Sequence, residues 1–302
     1  MPGTENPRPF RGCRRYGQGV PELAQMQALA ERLRAPLVGT RLVGFDVLGF
    51  SGLKTATPDP EDLVGQQITD VGRRGKYLVL HFESGTRILV HLSQAGRLDL
   101  EAPPKRSRAK GSVVRLRFVD DDGAPVAMLV REYGTERKAG WWVLAPGDDG
   151  PLGRLGPEPD DREFADWLLA GSDNRRIHTW LRDQRTVAGI GRGYADDALW
   201  NARLSPFATL AKIGVTQRQA LLDAIGETLR AGLEAERART GGLSAPKLGD
   251  HFLIHGRSGS PCPRCAARLE RVSYESYEVV YCPSCQTGGK RLADRRLSRL
   301  LK

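Results

Sequence analysis

Four of the five cysteines of this 302-residue sequence stand in two Cys-x-x-Cys pairs near its end. The pairs are Cys262/Cys265 and Cys282/Cys285, with sixteen residues between them, of which Val272 to Tyr281 alternate as a β-hairpin would. Four thiolates at this spacing surround one ion tetrahedrally, as in structural zinc sites, and leave no open position for a reactive water. We therefore predict one structural Zn²⁺ in a β-hairpin zinc finger.

A proline and a carboxylate stand side by side at Pro21-Glu22, directly before a helical pattern. The apolar positions at helical spacing are Leu23, Met26, Leu29 and Leu33. They predict one amphipathic helix over residues 22–34. Within a chain the proline nitrogen is an inert amide, and Pro21 would only begin the helix, where a missing N–H costs nothing. At a chain terminus the same nitrogen is a secondary amine and can act as a nucleophile.

The residue before Pro21 bears on which of these two interpretations holds. It is Val20, and the valine codon GTG also serves as a bacterial start codon that is read as methionine. Removal of that methionine would leave Pro21 with a free amine. Residues 1–19 are rich in proline, glycine and arginine and have no periodicity. We interpret them as a disordered extension or as a mis-assigned start.

The composition favours a soluble protein with an anionic partner. The net charge is +10 and the isoelectric point is near 9.6, which favours nucleic acid first and a membrane surface second. No apolar run reaches the roughly 18 residues that span a membrane. The first nineteen residues hold four arginines but no apolar segment of a signal peptide. We therefore expect a cytoplasmic, nucleoid-associated monomer.

Two patterns divide the chain. Short segments with β-branched and aromatic residues predict strands over 41–49, 67–72, 75–83, 87–93, 112–119, 126–133 and 140–145. Their close spacing predicts a β-sandwich or barrel. After a stretch rich in proline and glycine at 145–160, helical patterns cover 162–170, 175–184, 191–201 and 216–239. The tail, 290–302, has the pattern of a basic amphipathic helix.

These patterns predict an α+β multidomain protein. We place an N-terminal β-sandwich with a leading helix at 20–148 and a helical domain at 149–250. The zinc finger and its basic tail follow at 251–302.

Several stretches have the chemistry of phosphate binding. Glycines at 189, 191 and 193 form a turn into a helix, where exposed N–H groups could cradle a phosphate. A dinucleotide site is disfavoured there, because no strand–turn–helix unit of the parallel type surrounds the turn. Lys76 enters a predicted strand from a basic cluster and could point into a groove. The loop 105–110, which contains Lys110, is either a solvated turn or a phosphate-contacting loop.

Taken together, these stretches resemble the formamidopyrimidine-DNA glycosylase / endonuclease VIII family, in the same order from Val20 to Lys302. The resemblance is closest to a bacterial subgroup with a basic C-terminal tail. The matching stretches are Pro21-Glu22-Leu23, Arg74-Gly75-Lys76-Tyr77-Leu78, His91-Leu92 to Gly96, Leu155-Gly156-Pro157-Glu158-Pro159, the glycine turn 189–194, Ser205-Pro206, His255-Gly256-Arg257 and both cysteine pairs, ending in Gln286.

The resemblance implies a clamp on DNA. The β-sandwich carries the leading helix, and a helix–two-turn–helix domain with a zinc finger forms the other side. A damaged nucleotide is flipped out of the duplex. The terminal amine, Pro21 here, attacks C1′ of the sugar, the base leaves and elimination cuts the strand, while Glu22 handles protons.

The resemblance also implies further site residues. Lys76 matches the family's lysine near the phosphate and base. Arg131 and Tyr133 match the arginine and the aromatic wedge that fill the gap in the duplex. We further assign Arg175 to DNA binding.

Several positions depart from the family's pattern. The second proline and two carboxylates that follow the first Pro-Glu are missing. Arg192 stands where the family has a phosphate-binding asparagine, Tyr277 where the finger tip usually has an arginine, and Gln94 where a void-filling methionine is common. Two functions stay open: an active DNA glycosylase/AP lyase for oxidised bases, or a catalytically impaired DNA-binding relative that acts as a damage sensor or scaffold.

Overall fold

A computed structural model describes residues 20–49, 51–133, 138–243, 250–274 and 277–293. The extension 1–19 and most of the basic tail, both of which figured in the sequence predictions, lie outside these ranges. Within them, no helix has the length and apolar composition needed to cross a lipid bilayer.

Two antiparallel sheets of four strands each form the first part of the protein, which confirms the predicted β-sandwich. One sheet has the strand order β1-β6-β7-β5 and the other β2-β3-β4-β8. The strands are β1 Arg41–Val47, β2 Ile68–Arg74, β3 Tyr77–Phe82, β4 Arg87–His91, β5 Gly96–Glu101, β6 Ser112–Val119, β7 Pro125–Glu132 and β8 Gly140–Leu144.

The predicted leading helix is confirmed as α1, Leu23–Leu37, with Glu22 as its N-cap residue. Pro21 therefore lies just before the helix rather than in its first turn. Met26, Leu29 and Leu33 are buried in the core of the sandwich. Ala24, near the start of the same helix, is buried in the core of the helical part. The helix thus joins two hydrophobic cores.

Strand β5 was not among the strands predicted from the sequence. Gly96–Glu101 pairs along its length with β7, so that Arg97 lies opposite Arg131. Charged residues at 97, 99 and 101 alternate with Leu98 and Leu100, which is a strand pattern, but a short one that follows directly on the loop after β4. Arg97 and Glu101 are nevertheless buried, although β5 is the edge strand of its sheet. Glu101 accepts a hydrogen bond from the Arg115 guanidinium of β6 at 2.9 Å.

Four helices follow, and all four were predicted. They are α2 Arg162–Ala170, α3 Ile177–Arg182, α4 Arg192–Asn201 and α5 Val215–Ala238. A short 3₁₀ turn, Gly150–Arg154, lies in the stretch predicted to be a linker. Phe164, Trp180, Tyr194 and Leu221 are among the residues that fill this second core.

The C-terminal part contains the predicted hairpin and a short helix. The elements are β9 Glu270–Ser273, β10 Glu278–Tyr281 and α6 Pro283–Thr287. Residues 290–293, the described beginning of the predicted tail helix, are not helical. The domain boundaries proposed from the sequence stay predictions.

Candidate active site

The Glu22 carboxylate is buried at the start of α4. Its Oε2 accepts a hydrogen bond from the Gly191 backbone N–H at 2.6 Å, and its Oε1 accepts one from Gly193 at 2.9 Å. The N–H of Tyr194 donates to Oε2 at 3.4 Å. Unpaired N–H groups and the helix dipole make a helix N-terminus favourable for an anion. Here that anion belongs to the protein itself.

This geometry corrects the prediction that the glycine turn cradles a phosphate. The N–H groups of Gly191 and Gly193 already bind Glu22 and do not point at a free anion. A Cβ atom on Gly191 would come within 2.3 Å of the Glu22 carboxyl carbon. The glycine is therefore needed for the close approach of Glu22, which is a different reason from the predicted one.

The start of α1 is held on two sides. The Leu23 N–H donates to the carbonyl of Gly189 at 3.0 Å, and the Glu22 N–H donates to the Gln25 side chain at 3.1 Å. Pro21 is buried and lines a cleft with Gln25, Leu92 and Arg97. Pro21 and Glu22 are thus fixed relative to the glycine turn and to the β4–β5 connection.

Behind them lies a polar cluster that the sequence did not reveal. Gln25 donates through Nε2 to the Tyr194 hydroxyl at 3.3 Å, and that hydroxyl lies 3.1 Å from Nε2 of His251. Burial, followed by the nearby charge of Glu22, raises the pKa of Tyr194 above its usual range. The hydroxyl therefore stays protonated and neutral at the site.

Lys76 lies in the two-residue turn between β2 and β3, not within a strand as predicted. Burial lowers its pKa from the ordinary lysine value, the charge of Glu22 opposes this, and the charges of Arg182 and Arg192 add to it. Lys76 therefore belongs to the same charged cluster as Glu22. Burial, together with the charge of Lys76, also lowers the pKa of His91 to about 4, so this imidazole is neutral near pH 7.

Glu158 anchors the turn that carries Lys76. Its carboxylate accepts hydrogen bonds from Arg73 at 2.6 Å, from Arg74 at 2.8 Å and from the Gly75 N–H at 2.7 Å. Arg73 and Arg74 therefore share one carboxylate inside the protein. This explains the Leu155–Pro159 motif, whose role the sequence did not reveal.

Arg131 and Tyr133 lie together at the end of β7, as predicted. The Arg131 guanidinium is 5.0 Å from the Tyr133 ring centroid and 2.5 Å from Oδ2 of Asp99. Half of Tyr133 is exposed. The Tyr133 N–H donates to the carbonyl of Ala95 at 3.0 Å, which places the exposed ring next to the loop that follows β4.

Lys110 is exposed on the loop before β6, next to this end of β7. The carbonyl of Gly111 accepts a hydrogen bond from the Glu132 N–H at 2.8 Å. Lys110 therefore precedes a residue that is paired with the end of β7, directly before Tyr133. Either interpretation of this loop, solvated turn or phosphate contact, still applies.

The predicted DNA-binding Arg175 is engaged by acidic neighbours. Its guanidinium lies 2.7 Å from Asp173 and 2.9 Å from Asp183. Asp173 and Asp183 neutralise the positive charge with which Arg175 would bind a phosphate. In this geometry Arg175 connects the residues just before α3 with Asp183 at its end. Its assignment to DNA binding stays a prediction.

Tyr277, just before β10, packs against α3. The Arg182 guanidinium is 4.0 Å from the centroid of its ring, and the Tyr274 ring stacks on it at 4.4 Å. Arg192 is the first residue of α4, beside the carboxylate of Glu22. Arg182, which no sequence pattern indicated, therefore connects the finger to the Lys76 cluster.

The four predicted cysteine ligands converge. Their Sγ atoms all lie within 4.8 Å of one another, and the Cys265 and Cys282 sulfurs are 3.5 Å apart. A tetrahedron with metal–sulfur bonds of about 2.3 Å has sulfurs about 3.8 Å apart. The donor set therefore fits one metal ion, and the Trp200 indole N–H donates to Cys262 Sγ at 3.3 Å.

A further connection between α4 and the finger was missed from the sequence. Asp197 accepts hydrogen bonds from the backbone N–H groups of Leu253, Ile254 and His255, at 2.6, 3.0 and 3.1 Å. Asp196 lies between His178 and His255, at 3.0 and 2.7 Å. These carboxylates fix the segment that leads into the four-cysteine finger against α4.

Family models match two parts of the chain. The model of the formamidopyrimidine-DNA glycosylase N-terminal domain matches residues 20–130, and that of the H2TH domain of the same enzyme matches residues 155–242. A formamidopyrimidine-DNA glycosylase of Roseiflexus sp. is 32% identical over 283 residues, which cover 88% of this chain and 100% of the relative. The chain belongs to the formamidopyrimidine-DNA glycosylase family.

Two further relatives are similar to this chain, one by sequence identity and one by structure. An uncharacterised formamidopyrimidine-DNA glycosylase-like protein of Mycobacterium tuberculosis is 40% identical over 150 residues, or 49% of this chain and 94% of the relative. The Lactococcus lactis enzyme, solved with DNA that contains N7-benzyl-Fapy-dG, has a TM-score of 0.77 at 24% identity. This match covers 88% of the present chain and 100% of the solved one. The solved structure confirms the family fold.

Proposed function

We propose that this member of the formamidopyrimidine-DNA glycosylase family is an active DNA repair enzyme, a DNA N-glycosylase with AP lyase activity that excises oxidised bases. The observation that carries this proposal is the fixed position of Pro21-Glu22. Three backbone N–H groups bind the Glu22 carboxylate, and the Leu23 N–H binds the carbonyl of Gly189. Pro21 and Glu22 are therefore held rigidly in the cluster that contains Lys76. Such rigidity is what a nucleophile needs to hold its reactive geometry.

The proposed reaction begins at the nitrogen of Pro21. As a free secondary amine, that nitrogen attacks C1′ of the damaged nucleotide, and the bond from C1′ to the base breaks as the base departs with a proton. An α-amine has a pKa near 8, so a useful fraction is unprotonated at neutral pH. The C1′–O4′ bond then breaks, O4′ takes up a proton, and the opened sugar is left as an iminium. The iminium loses a proton from C2′, the C3′–O bond breaks with the 3′ phosphate as the leaving group, and the strand is cut.

The other site residues receive roles from their positions. Glu22 moves protons between the sugar, the base and water. Lys76 and Arg192 face the same cluster and bind phosphate or base. Tyr133 has the exposed ring needed to enter the duplex, and Arg131 lies beside it. Lys110, on the loop before β6, contacts a phosphate of the same duplex.

The amine is free only if translation begins at Val20, read as methionine, and that methionine is removed. The family model matches from residue 20, which supports this start. The product would have 282 residues, the 302 of the sequence less the first 20. Pro2 also follows a methionine, but glycine rather than glutamate comes next and no helix predicted from the sequence supports it.

We further propose that the four cysteines hold one structural zinc ion. Zinc would join the short hairpin to α6. The finger that these elements form has a core too small to fold unaided. Metal analysis should find about one zinc per chain. Cys265→Ser should lose both the zinc and DNA affinity, whereas a variant that keeps both would contradict the assignment.

The catalytically impaired alternative is not favoured, since the Pro21, Glu22 and Lys76 positions are all present and converge. The test is an excision assay with the protein that starts at Pro21. Duplexes with an oxidised purine or an oxidised pyrimidine should release the base and yield a cut strand. Tight binding of both duplexes with no release of base and no cutting of an abasic site would favour a sensor or scaffold.

A further inference from the structure

The Arg182 side chain lies between the helical part of the protein and the finger. It ends α3, and its guanidinium stacks on the Tyr277 ring with 4.0 Å to the centroid. Tyr274 stacks on Tyr277 with an interplanar angle of 12°, and Arg176 donates to the Tyr274 hydroxyl at 3.0 Å. The Tyr277 ring is therefore held in place, and it holds Arg182 in turn.

Arg182 differs from most arginines around the site in its charge balance. Arg73, Arg131 and Arg175 all lie within 3 Å of a carboxylate oxygen. For Arg182, no carboxylate oxygen of the described residues lies within 4 Å. Within the part of the chain that the structure describes, its charge is balanced by the face of an aromatic ring, which attracts a cation weakly. The guanidinium is thus available to an external anion.

The position of Arg182 adds to a local excess of positive charge. It lies close enough to Lys76 to oppose the protonated form of that lysine, as Arg192 does, whereas Glu22 favours it. Three cations therefore face one carboxylate, and that carboxylate is bound by the start of α4. Like charges gathered in this way repel each other until an anion binds among them.

We infer that Arg182 binds a phosphate of the damaged DNA strand beside the reacting sugar, and that Tyr277 positions its guanidinium to do so. The inference rests on the proposed function. A planar guanidinium stacks on a ring by its face and keeps its N–H donors directed outward in its plane, where they bind a phosphate at two oxygens. Tyr277 carries no charge of its own and does not compete for the phosphate.

The test measures binding, so it does not depend on catalysis. The full 302-residue chain is titrated with duplex DNA that contains a tetrahydrofuran abasic-site analogue, over a range of salt concentrations. Arg182→Ala should weaken binding about tenfold, as loss of one charge-assisted contact does, and should lower the slope of log affinity against log salt by about one. Intact duplex should lose less, because its nucleotides are not flipped into the site.

Arg185 provides a matched control on the same segment. It is three residues further on, is mostly exposed and lies 3.5 Å from Asp183. Arg185→Ala removes the same charge, and we expect a change below about twofold, as for a screened surface charge. An equal effect of the Arg182 and Arg185 substitutions would overturn the inference, since the loss would then follow net charge alone.

Two variants of Tyr277 test its positioning role. Tyr277→Phe keeps the ring and should bind like the unchanged protein, whereas Tyr277→Ala should weaken binding. In the Arg182→Ala background, Tyr277→Ala should have little further effect, because its contribution acts through Arg182. Fully additive losses would contradict the positioning role.

Zinc content and the thermal midpoint check that the variants are folded. If Arg182→Ala is unstable, Arg182→Gln removes the charge with a similar shape, and an unchanged salt slope in that variant would overturn the inference. Excision by the protein that starts at Pro21 is measured separately. Loss of binding without any excision in the parent would contradict the proposed activity and leave the phosphate site standing.

Discussion

At the scale of single residues, Glu22 takes the position that a bound anion would otherwise have at the start of α4. The turn that looked like a phosphate site from its glycines is therefore an internal hydrogen-bonding site. Gly191 donates to the carboxylate at 2.6 Å and has no room for a side chain. The consequence is that the residue next to the proposed nucleophile is held by backbone groups, which do not change rotamer.

Glu22→Gln tests this position. The amide keeps the shape of the side chain, but its NH₂ group would face the N–H donors of the turn and its ability to accept a proton is lost. We expect excision of an oxidised base to fall about a hundredfold or more. The rate is measured in single turnover, well below the thermal midpoint, with Gln27→Ala on the same helix as a control. A rate within threefold of the parent would contradict a role for Glu22 in proton transfer.

At the scale of elements, the β2–β3 hairpin reaches across to the segment before α2. Glu158 binds the side chains of Arg73 and Arg74 and the N–H of Gly75. Lys76 follows directly, so its position depends on a carboxylate 82 residues further along the chain, the difference between 158 and 76. This long-range contact fixes the β2–β3 hairpin of the sandwich against the segment that leads into the helical part.

Glu158→Ala should therefore damage both stability and the site. Two partly buried arginines lose their partner, and we expect a loss of about 2 kcal/mol in the free energy of unfolding. The control is Asp149→Ala, which removes the exposed partner of Arg87 and should cost less than about 1 kcal/mol. Urea unfolding measures both. Equal losses would show that Glu158 is an ordinary surface partner.

Sequence periodicity predicted α1, the four helices of the second part and seven of the eight sandwich strands. It missed β5, although Leu98 and Leu100 alternate with charged residues there. The burial of Arg97 and Glu101 could not be predicted, because it depends on neighbours from other strands. The cysteine spacing predicted the convergence of the four sulfurs. The partners of Glu22 and Arg182 could not be predicted, since Gly191 and Tyr277 come near only when separate elements pack together.

At the scale of the whole molecule, α1 contributes to two cores and carries the proposed nucleophile between them. Met26 and Leu33 pack in the sandwich, and Ala24 packs in the helical part. Asp196 and Asp197 then join α4 to the finger. With a net charge of +10, the assembled protein has the charge balance of a nucleic-acid-binding protein.

We expect DNA affinity to fall steeply with salt, because each neutralised phosphate releases counterions. Arg192→Ala should weaken binding by a similar factor for duplexes of different sequence, since phosphate contacts do not report base identity. Fluorescence anisotropy at several salt concentrations measures both effects. Affinity that is flat between low and physiological salt, or a loss confined to one sequence, would contradict phosphate binding.

The most direct test of the account is borohydride trapping at Pro21. Borohydride reduces the iminium to a stable protein–DNA crosslink, which mass spectrometry assigns to a residue. The protein that starts at Pro21 should crosslink to DNA with an abasic site or an oxidised base, Pro21→Gly should trap less, and the 302-residue form should not trap through Pro21. Efficient trapping by the intact 302-residue form at any other residue would contradict the assignment of Pro21 as the nucleophile.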